Sequence, residues 1–122
     1  MKILQKSAVI QINIELTGGR STVLKPEELS SIIDGVNQEV FGQVLFPNIQ
    51  EKAAHYFEKL ATYHCFNDGN KRTALVCLNA FLNMNGKTIR ESDTNLYNLT
   101  LDVAEGKIDF ESLVDIFYKI IK

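Results

Sequence analysis

The fold of this chain turns on the stretch His64-Cys65-Phe66-Asn67-Asp68-Gly69-Asn70-Lys71-Arg72-Thr73. Residues His64 to Gly69 are too rich in polar and glycine residues to continue a helix, and they predict a loop. From Asn70 onward Leu75, Val76, Leu78, Phe81, Leu82 and Met84 are apolar on most sides. A helix wet on only a narrow strip is a central one. The loop therefore runs into the N-terminus of the most buried helix, where the first amides lack intrahelical acceptors. The amides of Gly69, Asn70, Lys71 and Arg72 are expected to point outward, with the positive end of the dipole behind them. Gly69 permits a backbone conformation and a close approach that a side chain would obstruct. Lys71 and Arg72 add two cations, Arg72 in a form that binds phosphate oxygens bidentately. Together these features form an anion nest for a polyphosphate.

Two further groups turn binding into chemistry. Asp68 offers a hard carboxylate beside the phosphates, the way a protein holds Mg²⁺ with few ligands of its own. His64 can accept a proton near neutral pH and activate a hydroxyl nucleophile. Phe66 is expected to turn inward and pin the loop. Phosphoryl or nucleotidyl transfer needs little more than such positioning and charge neutralisation. The plainer readings are a capping or core histidine for His64 and an N-cap for Asp68, which is compatible with a metal role. Lys71 and Arg72 read plainly as a solvated pair, but cations at that helix end oppose the dipole and favour an anionic ligand. The glycine and strand of a P-loop are absent upstream of Gly69.

Outward from the motif, the chain reads as all-α. Ile10, Ile12, Ile14 and Leu16 alternate like a strand, while Ile3, Leu4, Ala8, Ile10 and Ile14 line a helix equally well. Thr17-Gly18-Gly19 ends that segment either way. Pro26 suits a first helical position, and Leu29, Ile32, Ile33, Val36 and Val40 recur at helical spacing up to Gly42. Gly42 to Pro47 reads as an extended loop. Asn48 reads as an N-cap with Glu51 completing a capping box, and Ile49, Ala53, Phe57 and Leu60 face the core. Beyond the central helix, closed by Asn85-Gly86, come two shorter helices. Leu96, Leu99 and Val103 mark one, ending at Gly106. Phe110, Leu113, Val114, Phe117 and Ile121 mark the other, with Asp109 as N-cap. About six helices in an orthogonal or bundle-like arrangement result.

At 122 residues, 45% of them apolar, the chain is expected to form a single domain over residues 1–122. A net charge of −2 argues against a general nucleic-acid or anionic-membrane binder. The helix after Asn70 also leaves almost no face for a DNA groove. No run is long and apolar enough to span a bilayer, and no signal-peptide pattern follows Met1, so a cytoplasmic protein is expected. Cys65 and Cys77 then read as packing residues rather than a disulfide or part of a zinc site. His55 reads as a half-buried structural histidine.

The order His64-x-Phe66-x-Asp68-Gly69-Asn70-Lys71-Arg72 resembles the signature of the Fic/Doc family, whose common form is HxFx(D/E)GNGRxxR. Weaker similarity runs from about Thr17 to Ile121, through the Gly-Gly turn, Phe41-Gly42 to Phe46-Pro47, and Glu51-Lys52-Ala53-Ala54. The resemblance implies a compact helical Fic/Doc domain with a short extended flap before the third helix, at Val44, Leu45 and Phe46. It implies His64 as base, with Lys71 and Arg72 also catalytic. It further implies Asp68 as Mg²⁺ ligand and Gly69, Asn70, Lys71 and Arg72 as the phosphate site for ATP. Two departures refine it. Lys71 stands where adenylyltransferases of the family have a second glycine, and Leu75 where they have a final arginine. The Doc branch shares both. Its resemblance implies a kinase that transfers the gamma-phosphoryl group, as a family toxin does to a threonine of elongation factor Tu, halting translation. Adenylyl transfer is the rival reaction, and an inactive partner-binding module the rival class.

Many Fic proteins carry an internal inhibitory helix of pattern (S/T)xxxE(G/N). Thr100 to Gly106 has one residue too many between Thr100 and Glu105. One residue turns a helix by about 100°, so the two would not share the required face. Inhibition in trans is therefore expected, by a small Phd-type antitoxin of a type II toxin–antitoxin pair. Its disordered tail would fold as a helix onto an apolar groove.

Overall fold

The computed structural model describes all residues from Met1 to Lys122. Six helices and one two-stranded hairpin follow in the order α1 (Lys6–Leu16), α2 (Pro26–Gly35), β1 (Glu39–Val40), β2 (Gln43–Val44), α3 (Ile49–Thr62), α4 (Asn70–Met84), α5 (Asp93–Ala104) and α6 (Phe110–Ile120). No helix is long and apolar enough to cross a membrane. The first segment resolves as a helix. Val9 and Asn13 face inward one turn apart, and Ile14 stays exposed, so strand-like alternation is not what the fold uses. Gly18 and Gly19, both at positive φ, stop it as the sequence predicts.

α3 forms the centre. Eight of its fourteen residues are buried, against six of fifteen in α4, so the helix that follows the motif is not the most buried one. Val76 and Met84, expected inside, are exposed because only one face of α4 meets α3 and α1. Tyr56 packs edge-on against Phe81, and Phe57 packs against Phe117, so aromatic side chains of α3 bind α4 on one side and α6 on the other. The Tyr56 hydroxyl accepts a hydrogen bond from the Leu4 amide at 3.1 Å, and burial pushes its pKa up to about 12. Asp109 caps α6 through the Ser112 amide as expected.

Three local expectations fail. α2 ends at Gly35, not Gly42, because residues 39–44 turn back on themselves. Glu39 pairs with Val44 and Val40 with Gln43, so the extended flap is in part a hairpin. Its turn residues Phe41 and Gly42 both have positive φ, the geometry that matches strand twist; glycine takes it freely and Phe41 does so fully exposed. At Asn48 no capping box forms. Its side chain donates instead to Glu51 at 3.0 Å and to the Tyr118 hydroxyl at 2.8 Å, joining the start of α3 to α6.

The hairpin is held from below by α3. The buried Lys52 ammonium donates to the carbonyls of Val36 (3.3 Å) and Phe46 (2.6 Å) and to Asn37 Oδ1 (3.4 Å), and so closes the base of the loop. Beside it His55 is 6% exposed, buried rather than half-buried. Its Nε2 lies 2.7 Å from the Ile32 carbonyl, which can only accept, so Nε2 carries the proton. Burial holds His55 below the ordinary histidine range, with the Ile32 bond opposing. The unfolded chain therefore binds the extra proton more readily, and stability must fall as pH drops through and below the ordinary value of about 6.5. Urea midpoints are expected to decrease between about pH 7.5 and about pH 5, and the decrease to shrink in His55→Leu. An identical decrease in both proteins would remove His55 from the pH response.

Candidate active site

The loop after α3 is shaped by four residues that the chain buries or bonds away. Cys65 and Phe66 are 1% and 2% exposed, so Phe66 does turn inward. The Cys65 carbonyl accepts from the amides of Leu24 (2.8 Å) and Lys25 (3.2 Å), and Phe66 bridges to Val23. Asn67 Oδ1 accepts from the Thr22 amide at 2.6 Å and from Ser21 Oγ at 3.0 Å. The segment Ser21 to Lys25 therefore runs alongside the motif and supports it. Asn70 completes the loop. Its Oδ1 accepts from the Phe66 amide (3.0 Å) and its Nδ2 donates to the Phe66 carbonyl (2.8 Å). Within the proposed phosphate site, Asn70 thus contributes its main chain, its side chain being spent on the loop.

Geometry at the helix start differs in one respect from expectation. The Gly69 amide is not free: Asp68 Oδ1 accepts from it at 2.8 Å. The N-cap of α4 is Gly69 itself, at φ 74°, and the first helical bond runs from the Thr73 amide to the Gly69 carbonyl at 2.8 Å. The amides of Asn70, Lys71 and Arg72 have no acceptor within the protein. Three amides, not four, are therefore left without protein partners at this helix end. Gly69 is also required sterically, since a Cβ there would meet Thr17 Cγ2 at 2.9 Å and Asn13 Nδ2 at 3.3 Å. The close approach is therefore to α1, a partner the motif alone did not indicate.

His64, Asn67, Asp68, Gly69, Asn70, Lys71 and Arg72 line a single cleft of about 340 Å³. His64 follows the end of α3 in a left-handed backbone conformation, φ 50°, that non-glycine residues adopt at an energetic cost. Its imidazole is exposed and lines the cleft. Lys71 and Arg72 are exposed and form no ion pair, which leaves two cations unneutralised at the positive helix end. Leu75 lies one turn deeper. The far wall is built by Tyr97, to which the sequence did not point, and Thr100, which it named only in comparison with the inhibitory-helix pattern, both on α5. Their spacing of three does place them on one helix face, a signal visible only if the facing element is known. The Thr100 hydroxyl is tied to the Leu96 carbonyl at 2.7 Å.

Three expected residues lie elsewhere. Val44 and Leu45 are each 43% exposed on the hairpin and do not line the cleft. Phe46 is buried against His55 and Phe110, with ring centroids at 4.8 and 5.4 Å, so it anchors the hairpin and cannot face a substrate. Burial raises the thiol pKa of Cys65 and pushes that of Cys77 up to about 12, in keeping with packing roles.

Comparison with known proteins agrees with this geometry. A sequence model of the Fic/DOC family matches residues 3–82. Over 108 residues the chain is 34% identical to the protein named Protein kinase doc of Escherichia phage P1, covering 88% of this chain and 84% of that one. Over 69 residues it is 35% identical to the protein named Toxin Doc of Mycolicibacterium smegmatis, covering 57% of this chain and 53% of that one. The family match spans the motif loop and the helices that frame it, and the chain belongs to the Fic/DOC family, on its Doc branch.

Proposed function

We propose that this protein is a toxin of a type II toxin–antitoxin pair, a Ser/Thr protein kinase that transfers the gamma-phosphoryl group of ATP to a translation factor. The observation that carries this reading is the pairing of Lys71 and Leu75 in the cleft of His64 and Asp68. Lys71 adds a charge where the adenylyltransferase pattern has open space, and Leu75 removes one from deeper in the cleft. A triphosphate then finds its cations at the mouth, beside His64. The relatives named Protein kinase doc and Toxin Doc support the same choice, and elongation factor Tu is the proposed target.

In the proposed reaction the amides of Asn70, Lys71 and Arg72 bind phosphate oxygens, with the cations of Lys71 and Arg72 beside them. His64 takes the proton of the acceptor hydroxyl, whose oxygen forms a bond to the gamma-phosphorus. The bond from that phosphorus to the bridging oxygen breaks, and ADP leaves. Asp68 fits a Mg²⁺ site of the kind that relies on phosphate and water: one carboxylate oxygen holds Gly69 and the other remains for a metal. No group of three or more His, Cys, Asp or Glu side chains converges anywhere in the chain, so Asp68 would be the main protein ligand. When bound, Mg²⁺ would supply charge neutralisation on the phosphates. The exposed hairpin residues Val44 and Leu45 would align the target segment.

Control is proposed to come in trans, from a Phd-like antitoxin. Glu105 is the C-cap of α5, its backbone amide donating to the Leu101 carbonyl at 3.0 Å. Its carboxylate pairs with Lys107 at 2.8 Å and lies outside the residues that line the cleft, though the Lys71 charge reaches it. A glutamate so placed is a poor internal plug.

Purified protein, given a cell extract and ATP labelled at the alpha or the gamma position, is expected to transfer only the gamma label. Transfer of the alpha label would overturn the kinase reading. His64→Ala should lower the rate by on the order of 10²–10⁴ and retain the fold; a variant that still arrests growth on expression would remove the base. Expression should arrest growth without the neighbouring open reading frame and be tolerated with it. Equal viability of the active protein in both strains would exclude a trans antitoxin.

A further inference from the structure

α1 carries a residue whose placement the reaction described above does not use. Asn13 sits in the middle of this helix, 1% exposed. Asparagine is a poor helix former, and burying an amide is unfavourable unless its hydrogens are bonded. Both hydrogens of Nδ2 are bonded, and both go to the motif: to the Asp68 carbonyl at 2.9 Å and to Thr73 Oγ1 at 3.0 Å. None of its recorded side-chain bonds serves α1 itself.

The two acceptors bracket the phosphate nest. The Asp68 carbonyl belongs to the peptide that joins Asp68 to Gly69. It is held by Asn13 and by Ser21 Oγ at 3.1 Å, while the N–H of the same peptide is held by Asp68 Oδ1 at 2.8 Å. With both ends of that peptide tied, its plane cannot rotate. The plane sets the direction in which the chain enters α4, and hence where the amides of Asn70, Lys71 and Arg72 point. Thr73, buried one turn on, fixes the other side of the same three residues. Gly69 lies between them with no room for a Cβ against Asn13 and Thr17.

We infer that Asn13 is a positioning residue for group transfer, which orients the Asp68–Gly69 peptide and the first turn of α4 from a different helix. The inference rests on the proposed reaction for its kinetic readout. Lys71 and Arg72 attract the nucleotide whether or not the amides are aligned, so loss of Asn13 falls on turnover more than on nucleotide affinity.

The test compares full-length wild type with Asn13→Asp, which keeps the shape and removes the donor. Initial rates of label transfer from Mg·ATP to proteins of a cell extract are measured well below each protein's melting temperature. Displacement of catalytic groups by about 1 Å can cost on the order of 10²-fold, and apparent kcat should fall by that order with far less change in the ATP KM. Thr73→Val and Thr73→Ser provide a second comparison that does not alter α1. The serine variant, which keeps the hydroxyl acceptor, should stay near wild type, and the valine variant should lose turnover. A folded Asn13→Asp with wild-type kcat overturns the inference, as does an equal loss in both Thr73 variants. Running alpha- and gamma-labelled ATP in parallel separates the two readings, because the wild-type label alone reports the proposed reaction. Amide NMR spectra need no turnover at all. In Asn13→Asp the resonances of Gly69 to Arg72 should move while those of α6 do not, and unmoved loop resonances overturn the inference even where neither label is transferred.

Discussion

The reciprocal pair between the Asn70 side chain and the Phe66 main chain, at 3.0 and 2.8 Å, is the contact on which the site depends. It closes the five-residue segment from Phe66, which bridges to Val23, to Asn70, the first residue of α4. A loop this polar can lie against a core only if its main-chain groups find partners. Asn70 supplies them for Phe66, Ser21 and Asn13 supply them for the Asp68 carbonyl, and Leu24 and Lys25 supply them for Cys65. The buried ring of Phe66 then anchors the arrangement to the core. What remains unpaired afterward is a run of three amides and two cations, all directed into one cleft.

That remainder is a stored electrostatic imbalance. A helix N-terminus attracts negative charge, and no acidic residue occupies the first turn of α4. Lys71 and Arg72 deepen the positive field rather than relieve it. α6 shows the ordinary solution to the same problem, with Asp109 capping through its carboxylate and Glu111 in the first turn. The two helices of one chain thus differ: α6 starts with carboxylates in its cap and first turn, and α4 starts with three unpaired amides and two cations. Local strain at His64 belongs to the same pattern, its left-handed backbone lying between the exposed Tyr63 and the buried Cys65.

Support for the hairpin follows a different principle. Lys52 is a buried cation with three acceptors and no carboxylate among them, and burial lowers its pKa. Its ammonium ties the end of α2 to the residue that follows the hairpin, while Phe46 packs on His55 and Phe110. The base of the hairpin is therefore rigid. Its tip carries Phe41 and the exposed Val40, Val44 and Leu45, an apolar edge with main-chain groups free on both sides.

The motif and its loop-to-helix geometry were legible in the sequence because they are local. Spacing from His64 to Arg72 specifies a loop, a helix start and a charge pattern, and the inward turn of Phe66 follows from its apolar ring among polar neighbours. The stops at Gly18-Gly19 and Asn85-Gly86, the start of α2 at Pro26 and the cap at Asp109 were equally local and equally readable. Contacts between distant segments were not. Periodicity could not say that residues 6–16 are helical, because a strand and a helix both bury Ile10, and only packing on α4 and α2 selects the helix. It extended α2 to Gly42, because Val36 and Val40 keep helical spacing although the chain has already turned. The family resemblance placed Phe46 in the substrate flap, and nothing in its sequence neighbours announces its packing against His55 and Phe110. Spacing gave no hint of Asn13 or Tyr97, nor that Thr100 walls the cleft, because those placements exist only once α1 and α5 pack against α4. Sequence spacing reports which residues share one element's face; which face meets which is set by the joint burial of all six helices, and that only the tertiary structure decides.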